Sequence, residues 1–137
     1  MQSRVVKLAK QGAPSVMTVE TVELGMPGPD EVLIKQNIIG FNYMDIYQRS
    51  GLYPLELPSG IGLEAAGTIE VVGDNITEFK IGERVAYATA PCGAYADYRI
   101  FPAERVVHLP ENISDEHCAA TLFKGMTVEY LLNRCYD

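Results

Sequence analysis

Pro58-Ser59-Gly60-Ile61-Gly62-Leu63-Glu64-Ala65-Ala66-Gly67 is the stretch on which the fold turns. Its glycines are dense enough to suggest a loop that cradles phosphate. A dinucleotide-binding loop, however, follows a strand and opens a helix, so that N–H groups at the helix N-terminus hold the pyrophosphate. This run leads instead into Glu64–Val72, which reads as a strand. Gly67 inside that strand predicts a bulge or a close backbone approach. The run is therefore read as a structural turn. No other Gly cluster in the chain lies between a strand and a helix.

On both sides of this stretch the chain is strand-like. Residues 3–10 come first, and Gly12-Ala13-Pro14 then turns the chain. Met17–Leu24 alternates as a half-buried strand does, and after the turn Pro27-Gly28-Pro29-Asp30 the branched run Glu31–Ile39 reads as the next strand. Asn42 can cap a short helix over Tyr43–Arg49 that Gly51 ends. The segment Tyr53–Gly62, rich in Pro and Gly, is a candidate site wall. Further strands are expected after Gly82, over Ala94–Ile100 and over Arg105–Leu109. Ser114 then caps a helix that carries Cys118, Ala119, Leu122 and Phe123. Gly125 interrupts the pattern, and a second helix is expected from Met126 toward Cys135, burying Val128, Leu131 and Leu132. The chain stops at Arg134-Cys135-Tyr136-Asp137 without a cap or turn, so it reads as part of a longer protein.

The 137 residues are 47% hydrophobic and 21% charged, which suits one globular domain with a core of its own. No run approaches the roughly 18 apolar residues of a membrane span, and the first residues lack the apolar centre of a signal peptide. A cytoplasmic protein with no membrane partner is expected. The net charge of −7 is scattered, with no basic cluster, so nucleic acid is not expected as a partner. Cys92, Cys118 and Cys135 are too few and too widely spaced for a disulfide framework or a C-x-x-C metal site.

Four segments, in this order and spacing, carry a resemblance that covers nearly the whole chain. They are Gly40-Phe41-Asn42-Tyr43-Met44-Asp45-Ile46-Tyr47-Gln48-Arg49-Ser50-Gly51-Leu52-Tyr53, then Pro58–Gly67 leading into Val71-Val72-Gly73. Gly82-Glu83-Arg84-Val85 with Gly93-Ala94-Tyr95-Ala96 follows, and Lys124-Gly125-Met126-Thr127-Val128-Glu129-Tyr130-Leu131-Leu132 is the last. Together they resemble the quinone oxidoreductase, zeta-crystallin-like branch of the medium-chain dehydrogenase/reductase family. The resemblance implies a mainly β fold with short helices. Residues 1–137 would be the N-terminal portion of a GroES-like irregular β-barrel catalytic domain, followed by two helices. A Rossmann domain that this segment lacks would complete a two-domain α/β enzyme. It also implies NADPH as cofactor, a small quinone or enone as substrate, and a homodimer at full length. Residues 1–137 alone would be inactive.

Zinc alcohol dehydrogenases of that family carry Cys in a G-x-C-x-x-D motif and His in a G-H-E motif. Here Asn42 stands in Gly40-Phe41-Asn42-Tyr43-Met44-Asp45 and Leu63 in Gly62-Leu63-Glu64. A catalytic zinc needs about three ligands from thiolate, imidazole or carboxylate, and amide and isobutyl groups do not replace two of them. No metal is expected, and the isolated His108 and His117 do not supply a site. Without a Lewis acid, the chemistry favours an acceptor that takes hydride readily, a quinone or an activated C=C bond, over an alcohol.

Asn42 has two compatible roles, helix cap and contact to the nicotinamide or its ribose. By resemblance the cofactor-binding set is Asn42, Met44, Asp45, Tyr47, Thr127 and Tyr130, with Asp45 orienting the helix or a neighbouring side chain rather than titrating catalytically. Lys124, Thr127 and Tyr130 follow at three-residue spacing and so share a helical face. Tyr53 and Lys124 are assigned to the substrate cleft. No residue is assigned as acid, base or nucleophile. Two alternatives stand beside the quinone oxidoreductase: a zinc-free enoyl or enone reductase of the same family, and a non-enzymatic GroES-like binding module.

Overall fold

The computed structural model describes residues 1–136. β1 (Gln2–Leu8) pairs antiparallel with β2 (Met17–Glu23), and the short β4 (Ser59–Gly60) adds to its other edge. The second sheet has β3 (Glu31–Gly40), β5 (Glu64–Val72), β6 (Arg84–Ala88), β7 (Tyr98–Pro102) and β8 (Val107–His108) in the order β7-β3-β5-β6-β8. Two helices complete the chain, α1 (Tyr43–Ser50) and α2 (Asp115–Arg134). The strands thus form two open sheets rather than one closed barrel, linked through the segment Ala94–Asp97.

That segment accounts for one difference from the sequence reading. A strand was expected over Ala94–Ile100, but regular pairing begins only at Tyr98. Before it, the chain crosses between sheets. Tyr95 donates its N–H to Ile61 O and accepts from Val6 N–H, Asp97 donates to Arg4 O, and Asp97 O accepts from Gln36 N–H. The segment thus meets β1 at a single antiparallel bridge, Val5 with Ala96, and reaches β3 through Gln36, so its backbone groups are paired without a continuous ladder. Likewise Arg105–Leu109 shortens to β8, because Ala103–Arg105 forms a 3₁₀ turn.

β5 is the centre of the second sheet and is buried on both faces over its first four residues. Ala65 and Ile69 face a core with Val32, Ile34, Phe79, Val85, Tyr87 and Phe101. Ala66 faces the other way and packs with Ala86, Leu109, Cys118 and Ala119, under α2. Gly67 is where β3 comes closest: a methyl group there would lie 2.1 Å from Lys35 O. Opposite it β3 carries a bulge, since Gln36 pairs with Gly67 and Ile38 with Ala66, leaving Asn37 over.

Ser114 caps α2, accepting the His117 N–H at 3.1 Å. Arg84 on β6 holds the first turn through Asp115 Oδ1 at 2.6 Å and Ile113 O at 2.7 Å. The expected break at Gly125 does not occur; one helix of 20 residues runs through it. The expected burial of Val128, Leu131 and Leu132 is also corrected, as each is more than half exposed. Only the N-terminal part of α2 lies on the sheet, through Cys118, Ala119 and Leu122. No described helix is long and apolar enough to cross a membrane.

Candidate active site

The site is built where the N-terminus of α1, the start of β5 and the middle of α2 meet. Asn42 is the N-cap of α1, and the Asp45 carboxylate accepts its N–H at 3.0 Å. This reaches back from the third helical position, as a capping-box acid does. Asp45 is 2% exposed. Its Oδ2 also accepts the Tyr95 hydroxyl at 3.0 Å, while Oδ1 is buried without a partner. Burial pushes the Asp45 pKa above the usual carboxyl value, against the opposing effect of the Asn42 and Tyr95 donors. Tyr95 is pushed up as well, first by burial and then by the Asp45 charge.

Capping leaves the Asn42 carboxamide free to face inward, where it joins two elements distant in sequence. Its Nδ2 donates to Glu64 Oε2 at 2.8 Å, and its Oδ1 accepts from Lys124 Nζ at 2.9 Å. Glu64, fully buried at the first position of β5, also accepts the Phe123 N–H at 2.7 Å through Oε1. Lys124 makes a longer contact to Phe41 O at 3.4 Å. The packing leaves no slack. A methyl group on Gly40 would lie 2.4 Å from Ala119 O and 2.6 Å from Glu64 Oε2.

Three tyrosines form a second cluster. Tyr47 lies 6.2 Å from Tyr43 and 5.5 Å from Tyr53, centroid to centroid, the latter edge-on. The Tyr53 N–H donates to Tyr47 O, and the Gln11 side chain bonds both Gln48 O and Tyr53 O. The loop after α1 is thereby fixed, with Tyr43 and Tyr53 exposed. On α2, Thr127 and Tyr130 line a shallow cleft with Ala88, Phe123 and Met126. The Thr127 hydroxyl donates to Phe123 O at 3.1 Å, within its own helix.

The residues singled out in the sequence therefore fall into groups. Asn42 and Lys124 touch, Asp45 braces Asn42, Tyr47 and Tyr53 pack edge to face, and Thr127 and Tyr130 share the α2 cleft. Met44 is half-buried on α1. Among the described residues no hydrogen bond joins Tyr47 to Thr127 or Tyr130. At the two positions where the resemblance would place zinc ligands stand Asn42, engaged as above, and Leu63, 6% exposed. No group of three or more His, Cys, Asp or Glu side chains is placed to hold a metal among the described residues.

Glu64 and Arg99 went unrecognised in the sequence. The signal for Glu64 was a lone acid set among Leu63, Ala65 and Ala66, at the head of a strand buried on both sides. Arg99 is 7% exposed, donates to Tyr87 Oη, Pro91 O and Cys92 O, and lies 4.4 Å over the Phe101 ring. It holds the loop after β6, whose Cys92 thiol contacts Gln48 on α1.

The chain is 46% identical over 133 residues to a quinone oxidoreductase of Pseudomonas aeruginosa, covering 96% of this chain and 41% of that protein. It is 40% identical to a 2-haloacrylate reductase of a Burkholderia species, covering 93% of this chain and 40% of the other. The structure of Escherichia coli quinone oxidoreductase in complex with NADPH superposes with a TM-score of 0.94 at 40% identity, covering 98% of this chain and 41% of that one. The chain thus spans about two-fifths of the length of these relatives. Residues 28–111 match the alcohol dehydrogenase GroES-like domain, and this chain belongs to that family.

Proposed function

We propose that residues 1–137 form the N-terminal, catalytic-domain portion of a zinc-free NADPH:quinone oxidoreductase that is cytoplasmic and homodimeric at full length. The observation that carries the reading is the Asn42 carboxamide, clamped between Glu64 and Lys124 at the position of a zinc-binding cysteine. The site offers an ammonium and exposed aromatic and hydroxyl groups where a zinc relative offers metal ligands. These groups suit the nicotinamide end of NADPH, which when bound supplies the hydride. Thr127, Tyr130, Tyr47 and Met44 would touch the cofactor, and Asn42 and Asp45 would fix the frame around it. Tyr53 and Lys124 would face the acceptor. A quinone needs little activation, so holding it and the nicotinamide in place supplies most of the acceleration.

Tyr47→Phe and Thr127→Val, made in the protein expressed from its natural reading frame, test the assignment. Each removes a hydroxyl and nearly preserves volume. The expected loss in kcat/KM for NADPH lies between a few-fold and about a hundred-fold, with little change in Tm. Unchanged kinetics with lowered Tm would make both packing residues. Metal analysis of protein purified without a metal-affinity tag should find far less than one zinc per chain. A second reading, an enone reductase, is kept beside it because the chain is also 40% identical to a 2-haloacrylate reductase. Comparing kcat/KM for 1,4-benzoquinone and methyl vinyl ketone decides between the two.

A further inference from the structure

We infer that Lys124 is the group that stabilises the oxygen of the reduced acceptor, and that Glu64 is the positioning residue that aims it, acting through Asn42. The inference rests on the quinone reductase reading and goes beyond it by assigning these roles.

Glu64 is fully buried, and its carboxylate offers only acceptor oxygens. One of them holds the Phe123 N–H at 2.7 Å and the other meets the Asn42 amide at 2.8 Å. An acceptor on that side fixes the orientation of the amide. Asn42 must turn Nδ2 toward Glu64, which turns Oδ1 toward Lys124. The ammonium is held at 2.9 Å by that oxygen. If the amide were reversed, it would present an N–H to a cation and release it. Glu64 also grips the residue before Lys124 on the same helix, so side chain and backbone are fixed from one point.

Lys124 itself is exposed, and an ammonium has more donors than its contacts to Asn42 and Phe41 use. Among the described residues no hydrogen bond or ion pair joins Lys124 to a carboxylate, so its charge is available to a ligand. In the reaction, a C–H bond of the NADPH nicotinamide breaks, its hydride forms an O–H bond at one quinone oxygen, and the conjugated π electrons shift to place the negative charge on the other oxygen. NADPH is oxidised and the quinone reduced to its monoanion. Lys124 donates a hydrogen bond to that oxygen as its charge develops, and a proton from water completes the hydroquinone.

The experiment compares Lys124→Met, Glu64→Gln and the double variant in the protein expressed from its natural reading frame. Lys124→Met should lower kcat with 1,4-benzoquinone about ten- to a hundred-fold, with KM for NADPH within about twofold of wild type. Glu64→Gln can donate as well as accept and so frees the amide to reverse. Its loss should largely vanish in the Lys124→Met background, which a purely structural role would not produce. Calorimetry without NADPH gives an independent readout. Wild type should bind 4-nitrophenolate more tightly than 4-nitroanisole, and Lys124→Met should lose that preference. Quinone turnover in wild type with unaltered kcat and unaltered phenolate preference in Lys124→Met would overturn the inference. Additive losses in the double variant would overturn the role of Glu64. Absence of quinone turnover in wild type would overturn the proposed function instead, and the phenolate titration would then decide the inference alone.

Discussion

One oxygen of Asp45 accepts two hydrogen bonds and the other, buried, accepts none. An ionised group so placed gives up hydration that its partners only partly restore. Its raised pKa makes stability depend on pH in a definite direction. Between the ordinary carboxyl value near pH 4 and its own higher value, the folded chain keeps a proton that the unfolded chain has released. The stability due to that proton is present at low pH and lost as pH rises through the window. Asp45→Asn removes the titration, so the variant should gain on wild type as pH rises from about 4 to about 7. Urea midpoints at the two ends measure this, and a constant difference would mean that Asp45 titrates alike in both states. At this scale the sequence was legible where an interaction is local. Asn42 as cap and Gly51 as terminator could be read because helix ends have few chemical solutions. Glu64 could not, because its partners lie 22 and 59 positions away and no periodicity reports such a pairing.

Helix α2 shows the same division at the scale of an element. Its start was legible from Ser114 and the acids after it, and its sheet-facing residues from their spacing. Its continuity was not. Gly125 weakens a helix by about 1 kcal/mol but does not end one without a turn or proline beside it. The expected burial of Val128, Leu131 and Leu132 failed for a related reason: spacing shows which residues share a face, not what covers it. A methyl group on Gly125 would meet nothing within 4 Å. Gly125→Ala should therefore raise stability by about 0.5–1 kcal/mol, through the lower entropy of the unfolded chain, without changing the denaturant m-value. Equilibrium urea unfolding followed by circular dichroism checks it. An unchanged or lower midpoint would mean that the glycine backbone is needed where it stands. Among the strands, those with clear alternation or branched runs were found nearly residue for residue. Ala94–Asp97 was misread because a crossing between sheets uses the same extended backbone as a strand.

For the molecule as a whole, the open two-sheet architecture was legible in class but not in closure, since strand order depends on long-range pairing. The exposed apolar residues of α2, among them Met126, Val128, Leu131 and Leu132, lie beyond the part that meets the sheet. No stretch of the 137 residues provides a Gly-rich strand-turn-helix for a dinucleotide phosphate. Residues 1–137 expressed alone should therefore leave the rate of NADPH oxidation by 1,4-benzoquinone at the uncatalysed background; saturable turnover would show that phosphate anchoring is dispensable. The bond from the Phe123 N–H to Glu64 also bears on how the chain assembles. A helix is ordinarily the first thing a chain makes, because each of its bonds closes a short loop. The N–H of Phe123, in the middle of α2, also donates to an acceptor 59 positions away, and that bond exists only once the long loop between them has closed. The 20-residue helix is thus tied at its centre to a contact of long sequence separation, the kind whose closure costs a chain most in entropy.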